Sequence, residues 1–212
     1  MMPVLEANYG DGFHRIPFGG KWKRFGRLPE SERKNITCLT GHIPWGLHKF
    51  LPQKHQYATM LRHPLERIAS LYLYIRRTTS HRWHSRAKHQ SIADFAFSKM
   101  SEVDNGMVRW ISGRFDVGNM ALGYRVGQSD LEAAKRHLSK FAAVGFVEEF
   151  DASLALFAET FGWKHTEYVV KGKAPARKKT IAKLLVKDLA VMEGVNWFDM
   201  ALYRWAREKF AS

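Results

Sequence analysis

Apolar residues along this chain fall into two patterns, short β-branched runs and longer stretches with helical spacing. "NITCLTGH" (35–42) and "QYATMLR" (56–62) are runs of the first kind, and each stops at a polar residue, His42 and Arg62. "AAVGFVEEF" (142–150) predicts a third strand and "TEYVV" (166–170) a fourth. Pro64 suits the first turn of a helix, where its missing N–H would have had no partner, so a helix is expected from there to about Arg77. Further helices are expected after Ser91 as N-cap, up to Gly113, from a Ser129/Glu132 capping box, and up to Gly162. "TIAKLLVKDLAVMEG" and "NWFDMALYRWAREKFAS" predict two last helices around a Gly-Val-Asn break. Short strands alternating with helices argue for an α/β fold with a short parallel sheet flanked by helices.

Residues 1–34 are irregular apart from a short possible helix in "MMPVLEAN", so the expected core is 35–212 of a single domain. Neither a repeat nor an interdomain linker interrupts it. The longest apolar runs fall well short of the ~18 residues a membrane span needs, and the first residues lack the order of a signal peptide. A cytoplasmic location is expected for the chain as written. The lone Cys38 excludes an internal disulfide and a cysteine-based zinc cluster. Lys and Arg outnumber Asp and Glu by 34 to 20, a net charge of +14, which points to a polyanionic partner without choosing one. Nucleic acid is not expected, because the basic residues are spread over several elements and no zinc-finger, RNP or helix-turn-helix signature is present.

Ligands of open parallel sheets sit off the carboxyl ends of the strands. His42, Arg62 and Ser70 fall there, Ser70 in the helix that Arg62 precedes. A guanidinium fork with a nearby hydroxyl suits a phosphate oxyanion, whereas a solvated arginine and a serine bonded back to its own helix would produce the same spacing. His81, His84 and His89 have no carboxylate or cysteine nearby, so a metal site is not expected.

"MLRHPLERIASLYLYIRR" resembles the 3′-phosphate-binding segment of sulfotransferases that use 3′-phosphoadenosine 5′-phosphosulfate (PAPS), in particular the carbohydrate and uronyl 2-O-sulfotransferase branch. Arg62, Pro64, Arg67 and Ser70 match that segment, and His63 stands where the family has Asp. "TGHIPWGLHKF", "VGFVEEFDASLALF" and the Asn-x-x-Asp-x-x-Leu-Tyr of the last helix extend the likeness over most of the chain from about Asn35. The resemblance implies a three-layer, P-loop-like sulfotransferase fold. It implies that Arg62 and Ser70 bind the donor 3′-phosphate and that His42 is the general base, with Thr40 where the branch has a second histidine. His48 is an alternative base with a weaker claim. Lys171, Lys173 and Arg177 correspond to the loop over the adenosine end of the donor, and the loop from Arg76 to His89, with Arg76, Arg77 and Arg82, to the part that recognises an acidic acceptor sugar. The implied partners are PAPS, its product PAP and a hydroxyl of an acidic carbohydrate.

The family also has a strand, a Lys-Thr/Ser-rich phosphate loop and a helix ahead of the Gly-His segment, which hold the 5′-phosphosulfate. Residues 1–41 contain no such loop. "FGGKWKR" lacks the hydroxyl and joins no strand to a helix, and "MMPVLEANYGDGFHRIPF" resembles the family's segment on the C-terminal side of the loop. The chain is therefore expected to begin inside the family's first helix, through a late-placed start, a truncated remnant, or loss of catalysis with binding kept. The retained His42, Arg62 and Ser70 favour the first two, and a non-catalytic polyanion binder is the rival.

Overall fold

The computed structural model describes residues 1–16, 21–98, 100–114, 124–169 and 179–211. The chain is mixed α/β, with short parallel sheets flanked by helices. Strand β1 (Phe13–Ile16) pairs in parallel with β2 (Cys38–Gly41), and β3 (Ala58–Leu61) with β4 (Ala143–Phe146). The expected single sheet is thus two separate ribbons among the described residues. In the sequence β1 shows only as an extended piece of an irregular segment, because four residues in a glycine-rich stretch carry too little alternation. No strand forms at 166–169; Asn8 binds the backbone of Lys164 and His165 just ahead of it, and Val169 is 79% exposed.

The helices whose full extent is described are α1 (Met2–Tyr9), α2 (Glu30–Lys34), α3 (Pro64–Arg77), α4 (His84–His89), α5 (Ile92–Ala96), α6 (Gly106–Ser112), α7 (Gln128–Leu138), α8 (Phe150–Phe161), α9 (Val186–Val195) and α10 (Trp197–Phe210). α3 has the expected limits, and Leu65, Ile68, Ala69, Tyr72 and Ile75 form its buried stripe. Full burial of Ile68 or Ile75 contributes about 1.5–3 kcal/mol each. Ser91 caps α5 as expected, accepting the Asp94 N–H at 3.1 Å, and α6 and α8 stop at Gly113 and Gly162.

The expected Ser129/Glu132 box does not start α7. Ser129 is exposed, whereas the buried Asp130 accepts the Gly127 N–H at 3.0 Å. The basic stretch 76–89 is not a plain loop either; α4 forms within it because Ala87 packs into the core of α3 and α5.

Helices cover both faces of the β3–β4 ribbon. Neighbouring strand residues point to opposite faces. Gly145 faces Ser153 and Phe157 of α8, while Val144 and Phe146 join a core with Met107, Leu131 and Leu202 of α6, α7 and α10. The β1–β2 ribbon has a smaller core of Ile16, Phe25 and Leu47.

α6 and α10 cap each other. Asp199, in the first turn of α10, accepts the N–H groups of Met107 (2.9 Å) and Val108 (2.8 Å) at the start of α6. Asn105, just ahead of α6, accepts those of Phe198 (2.9 Å) and Asp199 (3.1 Å) through its side-chain oxygen. Asn196 accepts the Asn105 N–H at 3.3 Å, and all three residues are buried. Each helix start thereby supplies the acceptors that the other's orphan donors need. Burial raises the Asp199 pKa, opposed by the charge of Arg67 and the two N–H bonds.

Asp199→Ala leaves two buried N–H groups without acceptors and is expected to cost about 2–5 kcal/mol of stability. Asp199→Asn, which keeps one carbonyl acceptor, is expected to lose less. Urea unfolding checks this; an Ala variant within about 0.5 kcal/mol of the parent would remove the caps from the account.

Candidate functional site at the ends of β2 and β3

A cleft of about 1160 Å³ lies between the two ribbons. His42, directly after β2, and Arg62, directly after β3, both line it, together with Thr40, Arg67 and Trp110. The structure thus brings two of the expected site residues to one cavity.

Gly41 makes the Gly-His step possible. Its φ is +143°, and a Cβ there would lie 2.3 Å from the Ile16 carbonyl oxygen. Only glycine lets β2 run this close to β1 and release His42 at the cleft mouth. The His42 ring is 6.2 Å from that of Trp110. The Trp110 carbonyl in turn accepts the Trp45 N–H at 2.8 Å, which ties the segment after β2 to α6. Partial desolvation, reinforced by the positive charge of Arg67 and opposed by Glu102, holds the His42 pKa below the ordinary imidazole value. A histidine held neutral in this way is able to accept a proton at neutral pH.

Arg67 sets the other wall. Its guanidinium donates to the Glu102 carbonyl and lies over Gly106, where a Cβ would come within 2.7 Å of Nη1. Glu148 fixes the turn that carries Arg62. One carboxylate oxygen accepts the His63 N–H at 2.8 Å and the other the Tyr203 hydroxyl at 3.1 Å. The His63 ring packs edge-on against Tyr203 at 5.4 Å. Arg62 is therefore held by α10 and the end of β4 as well as by its own strand.

The remaining candidates lie elsewhere. Ser70, two turns along α3, is half-buried and does not line the cleft. Arg76, Arg77 and Arg82 are exposed at the far end of α3 and in the turn after it. Arg76 donates to the Tyr72 hydroxyl at 3.0 Å, and Arg82 and Arg86 lie over the Trp83 ring at 5.4 and 4.8 Å. Lys171, Lys173 and Arg177 lie outside the described residues. His81 and His84 are engaged by nearby backbone groups, and among the described residues no three His, Cys, Asp or Glu side chains group to hold a metal. Cys38 lines the cleft, but burial pushes its pKa up to about 11, so the thiol is neutral.

His48 belongs to an aromatic cluster that sequence periodicity does not reveal. Its Nδ1 is 2.7 Å from the Tyr57 hydroxyl, and its ring stacks on His55 at 4.5 Å. Trp45 stacks on both Tyr57 (4.5 Å) and His137 (4.2 Å). This network makes His48 a packed histidine. Arg67 is visible in the sequence as a motif match but not as a wall of the cleft, because nothing in its spacing says which way its guanidinium turns.

Taken together, the arrangement offers a neutral proton acceptor and an arginine lining one cavity, with Arg67 in its wall, suited to an anion beside a hydroxyl. No protein-family model matches the chain, and no curated protein does. No helix among the described residues is long and apolar enough to cross a membrane.

NMR titration of the His42 imidazole is expected to show a midpoint below 6.5, and Arg67→Gln, which removes the repelling charge, to move that midpoint up. A midpoint indifferent to Arg67 would break the link between the two walls.

Proposed function

We propose that this protein is a sulfotransferase of three-layer, P-loop-like architecture that moves a sulfuryl group from PAPS to a hydroxyl of an acidic carbohydrate. One observation carries the reading: His42 and Arg62, each released from the end of a parallel strand, line a single cleft. In this reading Arg62 holds the donor 3′-phosphate through paired charge-assisted bonds, with Ser70 reached along α3. The acceptor oxygen attacks sulfur as the sulfur–oxygen bond to the donor phosphate breaks, PAP leaves, and His42 takes the hydroxyl proton. The family resemblance assigns Arg76, Arg77 and Arg82, exposed at the far end of α3 and in the turn after it, to the acidic sugar and Lys171, Lys173 and Arg177 to the adenosine end of the donor.

The fit to the donor is half complete. Arg62 suits the 3′-phosphate, but residues 1–41 hold no Lys-Thr/Ser-rich loop for the 5′-phosphosulfate. The exposed arginines beside Tyr72 and Trp83 support a second reading as a non-catalytic polyanion binder derived from such an enzyme.

Calorimetry with PAP separates the two. Arg62→Ala is expected to weaken PAP about tenfold to a hundredfold, the size of a lost charge-assisted bond, whereas His42→Ala keeps PAP binding and abolishes transfer of labelled sulfate. No PAP binding, or binding unchanged in Arg62→Ala, would overturn the donor site. A glycan affinity untouched by His42→Ala, with no transfer by the parent, would favour the binder. Because the base must be neutral, turnover is expected to fall as pH drops through the depressed His42 pKa, with its inflection below 6.5.

A further inference from the structure

A second, smaller cavity lies at the other end of the β3–β4 ribbon. Tyr57 and Ala142, each just ahead of its strand, are joined there by a backbone hydrogen bond of 2.8 Å, and both line the cavity. Arg62 leaves β3 at the opposite end, and five residues at ~3.3 Å each put roughly 16 Å between it and Tyr57. Trp45, His48, His55 and Tyr57 form a wall shared with the cleft, whereas Lys140 and Ala142 line the smaller cavity alone. Its volume of about 450 Å³ falls within the range of small-molecule sites, about 300–1,000 Å³.

The ring-bearing wall is held in place from within. Trp45 is stacked on both faces, by Tyr57 and His137, and Tyr57 meets His48 and His55 edge-on at 5.6 and 5.9 Å. The ionisable groups around it are almost all basic. Lys140, exposed two residues past α7, makes no ion pair among the described residues, although Lys135 of the same helix pairs with Glu132 at 3.2 Å. The charges that act on His48 are those of His55, Lys49 and His137, and each adds to burial in opposing its protonation. Lys140 and Arg136 act on His137 in the same sense. Apart from the Tyr57 phenol no acid enters this group, and no carboxylate is among the described residues that line the cavity. Basic groups gathered in this way repel one another until an anion joins them.

We propose that this cavity is a second ligand site, for a small planar molecule that carries an oxyanion. The charged group sits between Lys140 and the stacked His48–His55 pair, and the planar body lies against the Trp45–Tyr57 wall. Lys140 supplies a charge that is constant near neutral pH, while the imidazoles donate N–H groups and gain charge as pH falls. Affinity therefore rises toward acid pH, and a bound anion favours the protonated form of His48. The inference is independent of the sulfuryl-transfer reading, because neither His42 nor Arg62 lines this cavity.

The test is NMR of the histidine rings in residues 1–212, titrated at matched ionic strength with benzenesulfonate, whose charge does not change with pH. Methanesulfonate keeps the charge without the ring, and benzenesulfonamide keeps the ring without the charge. The expected result is saturable shifts at His48 and His55 with benzenesulfonate, at least about tenfold tighter than with either control, and a higher titration midpoint for His48 in its presence. Lys140→Gln, at an exposed position that the fold does not depend on, is expected to weaken binding about tenfold, the size of a lost charge-assisted bond. Equal affinity for methanesulfonate would mean an adventitious ion only, and shifts spread over all ten histidines would mean general screening of the basic surface. Shifts at His42 alone, no saturable shift, or an unchanged affinity in Lys140→Gln would leave no site here; any of these results overturns the proposal. PAP binding is read separately, so neither reading stands or falls with the other.

Discussion

The reciprocal capping of α6 and α10 is the constraint on which the geometry of the cleft depends. Two helix starts face each other in a buried space, where unpaired N–H groups are costly, and Asn105 and Asp199 satisfy both sets at once. Arg67 lies over Gly106, the first residue of α6, and its charge counters that of Asp199. α6 also carries Trp110, whose ring and carbonyl meet the segment after β2. α10 carries Tyr203, which reaches the turn after β3 through Glu148. Both strand ends are thus referred to one pair of helix starts far away in sequence.

That arrangement gives a physical meaning to the motif residues. Asn196, Asp199 and Tyr203 do not line the cleft; they brace the elements that do. The Gly-His step is a steric requirement at Gly41 followed by a side chain at the mouth of the cleft. The proposed reaction is therefore to be tested at His42 and Arg62 and not at the bracing residues.

Much of the local structure is legible in the sequence because its signals are short-range. Pro64 starts α3, Ser91 caps α5, and Gly113 and Gly162 end their helices. The strands at 38–41, 58–61 and 143–146 are legible as β-branched runs, and with them the placement of His42 and Arg62 at strand ends. The misses need long-range information. β1 exists only by pairing with β2, and 166–169 stays unpaired despite its composition. Ser129 loses its cap role to Asp130 because burial, which periodicity does not assign, turns the aspartate inward. The division into two ribbons and the wall formed by Arg67 depend on which elements meet, and no local pattern encodes that.

Among the described residues β2 and β3 each pair along one edge only, which bears on how copies of this molecule behave toward one another. Unpaired apolar edges are templates for strand exchange between chains, the usual first step toward aggregates. The surplus of cations, at a net charge of +14, opposes that step by repulsion. This protection is electrostatic and long-ranged, so it fades as salt shortens the Debye length from about 30 Å at 0.01 M to about 3 Å at 1 M, while the edges themselves are unchanged. Colloidal stability is in this sense stored in the charge, and ionic strength releases it.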